Sequence, residues 1–296
     1  TASRPLMTAK DAMVDLTRHI EDVRDNPQNY SGISTGFVGL DAKITGLFPG
    51  NLVVLAARPM MGKTSLAMNI AENVGGNGVP VLIFTAEMPG REIFGRALGA
   101  RVGIPLRELQ RGRFPSDRWA DIIGAAGDIS LLNITYDETP NVKLEEVQRK
   151  AYGWARGKSR GLVIVDYLQL VKVKSKKGDT REREVAMISS GLKGLAGQLR
   201  MPVLALAQLN REVEGREEKR PKLSNLRDSG QIEQDADTVL MLYRAEVYGQ
   251  SGAQDEAEVI VAKQRSGELG TVMLRWDGRR TKFVSVATEP EKSYQD

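Results

Sequence analysis

From residue 33 onward the chain alternates short continuous apolar runs with segments whose apolar positions recur every three or four residues. The runs 52–57, 81–86, 130–135, 162–166, 203–207 and 237–243 are predicted strands, and 63–74, 89–102, 116–126, 142–156 and 183–200 predicted helices. Strands apolar on both faces, alternating with helices, make a parallel sheet covered by helices on each side. After residue 255 the pattern changes. Segments 257–263, 271–276 and 281–286, joined by Gly-rich turns, predict antiparallel strands that extend one edge. The expected fold class is α/β, a mostly parallel central sheet with antiparallel edge strands near the C-terminus.

Ahead of this region, residues 8–24 carry Met13, Leu16, Ile20 and Val23 at a narrow helical spacing with charges between them. Such a slim stripe is close to a coiled-coil seam, and it suits either packing on its own domain or docking on a neighbouring subunit. The segment Asn26-Pro27-Gln28-Asn29-Tyr30-Ser31-Gly32 breaks the helix as a linker. Three parts are therefore expected: a helix and linker over 1–32, an α/β domain over 33–286, and a polar, disordered tail over 287–296.

Composition narrows the chemistry. The 296 residues hold no cysteine, so disulfides, thiolate metal sites and cysteine nucleophiles are excluded. The only histidine, His19, lies in the first helix, which argues against a histidine base or a His-rich metal centre. Carboxylates, lysines, arginines and a loosely held Mg²⁺ remain, a set that suits phosphoryl transfer. No apolar run approaches the ~20 residues needed to span a bilayer, and no signal-peptide pattern is present; a cytoplasmic location, with no membrane partner, is expected. A net charge of +4 permits nucleic-acid binding. Aromatic residues make up only 5% of the chain, so a bound strand is expected to be held by its backbone rather than stacked on a platform of rings.

Residues Ala57-Arg58-Pro59-Met60-Met61-Gly62-Lys63-Thr64, followed by Ser65, lie between a predicted strand and a predicted helix. This is the layout of a phosphate-binding loop, except that the strict pattern has glycine at position 57. Backbone N–H groups and the helix dipole would cradle a β-phosphate, Lys63 would neutralise charge toward the γ-phosphate, and the Thr64 hydroxyl would hold Mg²⁺. Strand 162–166 ends in Asp166, at the sheet edge where open α/β sheets bind ligands, and would contact the metal directly or through water. Strand 81–86 runs into Glu87, either a carboxylate that orients the attacking water or a plain acid at a helix N-terminus. Strand 203–207 delivers Gln208, whose amide can hydrogen-bond a γ-phosphate and register its loss. From Arg211 to Gly230 the chain is basic and poor in apolar residues, read either as a mobile loop that moves a bound polyanion or as a solvated charged loop. Lys263-Gln264-Arg265 ends an edge strand. Arg265 there suits a finger reaching the γ-phosphate of a neighbouring subunit or an ordinary surface hairpin, and the spacing leaves both open.

These pieces, in this order, resemble the C-terminal ATPase domain of the DnaB family of replicative helicases. The resemblance rests on Ala57 to Thr64, Glu87-Met88, Ile164-Val165-Asp166-Tyr167-Leu168-Gln169-Leu170, Ala207-Gln208-Leu209-Asn210-Arg211, Leu226 through Asp237, and Ala262-Lys263-Gln264-Arg265. It covers roughly residues 10–286, and alanine at position 57 is what that family uses. It implies a RecA-like P-loop NTPase fold and a homo-hexameric ring with ATP and Mg²⁺ between subunits. Single-stranded DNA in the channel and 5′→3′ translocation are implied as well. Catalytic roles fall on Lys63, Glu87, Asp166, Gln208, Arg265 and Lys263, the last two in trans. DNA contacts fall on Arg211, Arg227, Asp228 and Gly230, with Asp228 standing where the family usually has glutamate. By the same resemblance the first helix packs on the adjacent subunit, and primase and a helicase loader are partners. Two alternatives share these residues: a filament-forming strand-exchange recombinase, and an ATP-dependent assembly scaffold without turnover.

Overall fold

The computed structural model describes residues 8–25, 32–86, 88–174, 178, 180–210, 218–249, 254–265 and 267–286. It divides into two units, residues 1–32 and 33–296. The described part of the first unit is helix α1 (Ala9–Asp25). Thr8 and Asp11 close its start reciprocally, Asp11 N–H donating to Thr8 Oγ1 at 3.2 Å and Thr8 N–H to Asp11 Oδ2 at 3.1 Å, the geometry of a capping box. Hydrogen bonds from Thr8 hold the Asp11 carboxyl below its ordinary range. Met13, Leu16 and Ile20 are exposed.

The second unit is built on one nine-stranded sheet: β1 (Leu52–Ala57), β2 (Val81–Thr85), β3 (Ile134–Asp137), β4 (Leu162–Asp166), β5 (Val203–Gln208), β6 (Thr238–Tyr243), β7 (Glu256–Gln264), β8 (Gly270–Asp277) and β9 (Lys282–Ser285). Their order across the sheet is β3-β2-β4-β5-β1-β6-β7-β8-β9. Pairing is parallel from β3 to β6 and antiparallel from β6 to β9.

The central strands are apolar except at their ends because both sheet faces are covered. In β1 the two-residue period sends Val53, Leu55 and Ala57 into one core with helices α2 (Val38–Ile44) and α3 (Lys63–Gly76). Leu52, Val54 and Ala56 enter a second core with α7 (Leu144–Ala155) and α8 (Arg181–Leu199). Between β2 and β3 the chain forms α4 (Gly90–Val102), α5 (Leu106–Gln110) and α6 (Trp119–Ser130). These leave an apolar cavity of about 570 Å³ lined in part by Phe94, Leu98, Leu106, Leu109, Ile129 and Tyr136.

Three expectations are corrected. The strand expected over 130–135 is shorter and later, since α6 runs through Ser130 and β3 starts at Ile134. Leu131 and Leu132 close the helix, and pairing with β2 begins at Val81↔Ile134. Helix α2, only seven residues long, has no counterpart among the predicted elements. Of the 211–230 loop, Leu223–Ser229 is a 3₁₀ turn continuing into helix α9 (Gly230–Asp235). Leu226 and Ile232 fold it down by burying in the second core. The 287–296 tail lies outside the described residues.

Candidate functional site

Strand β1 ends at Ala57, and the chain turns through Arg58–Gly62 into α3, whose first residue is Lys63. The turn needs left-handed backbone at Met60 (φ 68°) and Gly62 (φ 94°). Gly62 is required twice over. Its φ favours glycine, and a β-carbon there would stand 2.9 Å from Phe283 Cζ. Met61 and Arg58 point inward; the Arg58 side chain is buried and donates from Nη1 to the carbonyl of Leu209 at 2.7 Å. The loop is thereby fastened to the chain leaving β5, and Leu209 N–H donates in turn to the Ala57 carbonyl at 3.0 Å. Ala57 is itself packed in the core, so the departure from glycine at this position is filled rather than strained.

At the start of α3 two side chains converge on the end of β4. Thr64 Oγ1 donates to Asp166 Oδ2 at 2.8 Å, and the Lys63 ammonium lies 4.4 Å above the centre of the Tyr167 ring, a cation–π contact. Asp166 is 4% exposed. A hydroxyl and a buried carboxylate this close are hard oxygen donors of the kind Mg²⁺ selects. They sit beside a helix N-terminus that favours phosphate, so the donor set fits a Mg²⁺–nucleotide pair.

Gln208 stands exposed at the end of β5, level with Ala57 across the sheet. Its backbone is bracketed by one side chain. Gln208 N–H donates to Gln169 Oε1 at 3.3 Å, and Gln169 Nε2 donates to the Gln208 carbonyl at 3.2 Å. Arg181 donates to the Gln169 carbonyl. Beyond Gln208, Asn210 N–H donates to the carbonyl of buried Asn225 at 3.4 Å. A cavity of about 430 Å³, lined by Arg58, Tyr167, Gln169, Arg181, Gln208 and Asn225 among others, joins the phosphate loop to the 223–229 turn.

Glu87 lies outside the described residues. The strand leading to it places Thr85 level with Asp166, and Ala86 N–H donates to the Asp166 carbonyl at 3.0 Å. Arg211 also lies outside the described residues. Arg227 and Asp228 are described by their backbone, in the 3₁₀ turn, and Gly230 opens α9.

Arg265 and Lys263 are at the other end of the sheet. Thr238 pairs with Val53 on one side and with Gln264 on the other. Arg265 is therefore level with the beginning of β1, about five residues or ~16 Å along the strand from the phosphate loop. Lys263 Nζ donates to the carbonyls of Glu233 and Ala236, the latter at 2.7 Å. Burial pushes the Lys263 ammonium down, and the neighbouring Arg265 charge pushes the same way. Arg265 Nη1 lies 3.3 Å from Asp237 Oδ1. Lys63, Thr64, Asp166 and Gln208 thus come together, and Arg265 with Lys263 does not join them. Sequence reasoning assigned no role to Gln169, Arg181, Lys193 or Asp237. Asp237 carried a signal nonetheless: an acid at the first position of an otherwise apolar run.

The family model described as DnaB-like helicase C terminal domain matches residues 32–285. The replicative DNA helicase DnaB of Geobacillus stearothermophilus is 38% identical over 279 residues, covering 94% of this chain and 62% of the relative. Replicative DNA helicase DnaB of Buchnera aphidicola subsp. Baizongia pistaciae is 40% identical over 295 residues, covering 96% and 62%. The chain thus spans 62% of the length of these curated relatives. Among solved structures, an isolated ATPase domain superposes with a TM-score of 0.87 at 35% identity, covering 96% of this chain and all of that one. A DnaB-like replicative helicase, solved in a study of its interactions with primase, gives 0.85 at 34% identity, covering 97% and 69%.

Proposed function

Because the chain belongs to the DnaB-like helicase C-terminal domain family and has its RecA-like fold, we propose that it is the ATP-hydrolysing motor of a replicative DNA helicase. It would travel 5′→3′ on single-stranded DNA as a hexameric ring in the cytoplasm. The observation that carries this reading is the convergence of Thr64 and Lys63, at the start of α3, on the Asp166–Tyr167 end of β4. A recombinase or scaffold gains no support from the relatives, which are replicative helicases.

In this reading residues 57–65 cradle the phosphates and Lys63 neutralises their charge. Thr64 and Asp166 would hold Mg²⁺, which supplies charge stabilisation at the β- and γ-phosphate oxygens when bound. Glu87 orients the attacking water from the strand beside Asp166. The Gln208 side chain is free to meet the γ-phosphate because Gln169 holds only its backbone. Arg58, on Leu209, ties that segment to the phosphate loop, and the bond from Asn210 to Asn225 carries any shift of it to the 223–229 turn. There Arg227, Asp228, Gly230 and, beyond the described residues, Arg211 hold the DNA backbone. Arg265 and Lys263 serve a different subunit's nucleotide, since the sheet separates them from their own phosphate loop. Helix α1, with its apolar stripe, docks on a neighbouring copy; the cavity among α4, α5 and α6 matches it in chemistry. Residues 33–286 form the motor domain, and primase and a helicase loader are its expected protein partners.

ATP-dependent strand displacement on a forked duplex tests the proposal, with Lys63→Ala as control. Displacement by the unaltered chain and none by the control is expected. Equal displacement by both, or DNA-independent ATP hydrolysis with no displacement under any condition, would overturn it.

A further inference from the structure

One buried carboxylate connects three elements that the functional reading treats separately. Asp237 Oδ2 accepts from the backbone N–H of Leu52 at 2.8 Å, the first residue of the strand that ends in the phosphate loop. The same oxygen accepts from Lys193 Nζ at 2.6 Å, on the helix α8. Its other oxygen faces Arg265 Nη1 at 3.3 Å. The backbone repeats the link, with Arg265 N–H donating to the Asp237 carbonyl at 3.0 Å and Asp237 N–H to the Leu52 carbonyl at 2.9 Å. The side chain of Asp237 is 5% exposed while that of Arg265 is 54% exposed. A fixed anion therefore holds the guanidinium of a side chain that is otherwise half exposed.

The surroundings sharpen this. Arg265 Nη2 also donates to the carbonyl of Gln234 at 3.2 Å, and Lys263 takes the carbonyls of Glu233 and Ala236. Those carbonyls end α9, the helix that continues directly from the 223–229 turn. The orphan acceptors at a helix C-terminus attract cations, so both basic side chains are seated on the element next to the proposed DNA contacts. Lys193 is held on its far side by the Gly50 carbonyl at 2.9 Å, which fixes the carboxylate against rotation.

We infer that Asp237 is a positioning residue for the trans finger: it seats the Arg265 guanidinium at a defined place on the subunit surface, tied to the end of α9, from which the side chain meets the neighbour's γ-phosphate. This rests on the reading of Arg265 as a finger. Asp237 touches no substrate. Its effect passes through Arg265, and it belongs to the subunit that donates the finger rather than to the one that binds the nucleotide.

The test is ATP turnover in mixed assemblies. Asp237→Asn keeps an oxygen for the Leu52 N–H but removes the charge that holds Arg265 and Lys193. Alone, it is expected to lower kcat at least tenfold while KM for ATP stays within about twofold. Mixed with Lys63→Ala subunits, whose nucleotide sites are dead but whose fingers are intact, it is expected to regain turnover. Asp237→Glu, which keeps the charge but displaces it by one methylene, is expected to give the same pattern and serves if the Asn variant melts below the assay temperature. Arg265→Ala mixed with Lys63→Ala runs in parallel. Rescue of Arg265→Ala without rescue of either folded Asp237 variant, or a kcat for both within twofold of the unaltered chain, overturns the role of Asp237. Failure of the Arg265→Ala mixture itself overturns the finger reading, and the positioning role with it.

Discussion

Gly62 shows how much one residue decides. Its φ of 94° and the 2.9 Å approach of Phe283 to the place of a β-carbon leave room for glycine alone. Gly62→Ala is expected to cost about 1–2 kcal/mol for the left-handed backbone, and more for the contact, read as a lower denaturant midpoint together with a raised KM for ATP. Glu72, on the same helix α3, makes a second case. Burial raises its carboxyl above the ordinary value of 4.5, against the lowering pull of Arg101 and Lys282. The folded state then binds the proton more tightly than the unfolded one, so this group's contribution falls as pH rises from 4.5 through the raised folded value. Glu72→Gln should therefore raise Tm at neutral pH, with the gain vanishing below about pH 4, where both states are protonated; an unchanged difference across that range would contradict it. Lys63, Thr64, Asp166 and Gln208 were legible because each stands at the C-terminal end of a predicted strand or at a helix start. The roles of Gln169 and Asp237 were not, although the acid opening an apolar run marked Asp237, because those roles lie in which backbone groups they meet, 39 residues away for Gln169 and 185 for Asp237, and pattern along a chain does not name such partners.

Among elements, the C-terminal hairpin has a larger part than its place at a sheet edge suggests. Strand β9 packs Phe283 against the turn before α3, and the backbone N–H of Phe283 donates to buried Asn69 Oδ1 of α3 at 2.9 Å. Trp276 of β8 lies against Phe283 with ring centres 4.6 Å apart. Phe283→Ala should cost about 3–5 kcal/mol and loosen the phosphate loop, measured as a lower melting midpoint with weaker nucleotide binding. The antiparallel strands themselves were readable from alternation and Gly-rich turns, and the buried parallel strands from unbroken apolar runs. The miss at 130–135 has a physical cause. Leu131 and Leu132 extend an apolar run without a breaker, and only the pairing of Ile134 with Val81 decides where strand begins. The 223–235 segment failed for the opposite reason, since Leu226 and Ile232 are too few to register as an amphipathic helix yet suffice to fold the turn onto the core.

At the scale of the whole molecule, assembly is where the proposals meet. Ile20 is 57% exposed on α1, and Ile20→Asp is expected to shift the proposed hexamer toward smaller species in light scattering while leaving the melting of the α/β unit unchanged. An unaltered hexamer would remove α1 from the subunit contact. The placement of Arg265 at the far end of the sheet from Thr64 and Asp166 has a kinetic corollary. On the proposed reading of Arg265 as a trans finger, a lone chain carries two halves of a reaction centre that its own strands hold apart, so turnover per molecule would be no fixed property of the chain. It should climb steeply with protein concentration and fade on dilution before nucleotide binding does. In that reading assembly acts as the ignition, and a subunit adrift from the proposed ring would burn no ATP.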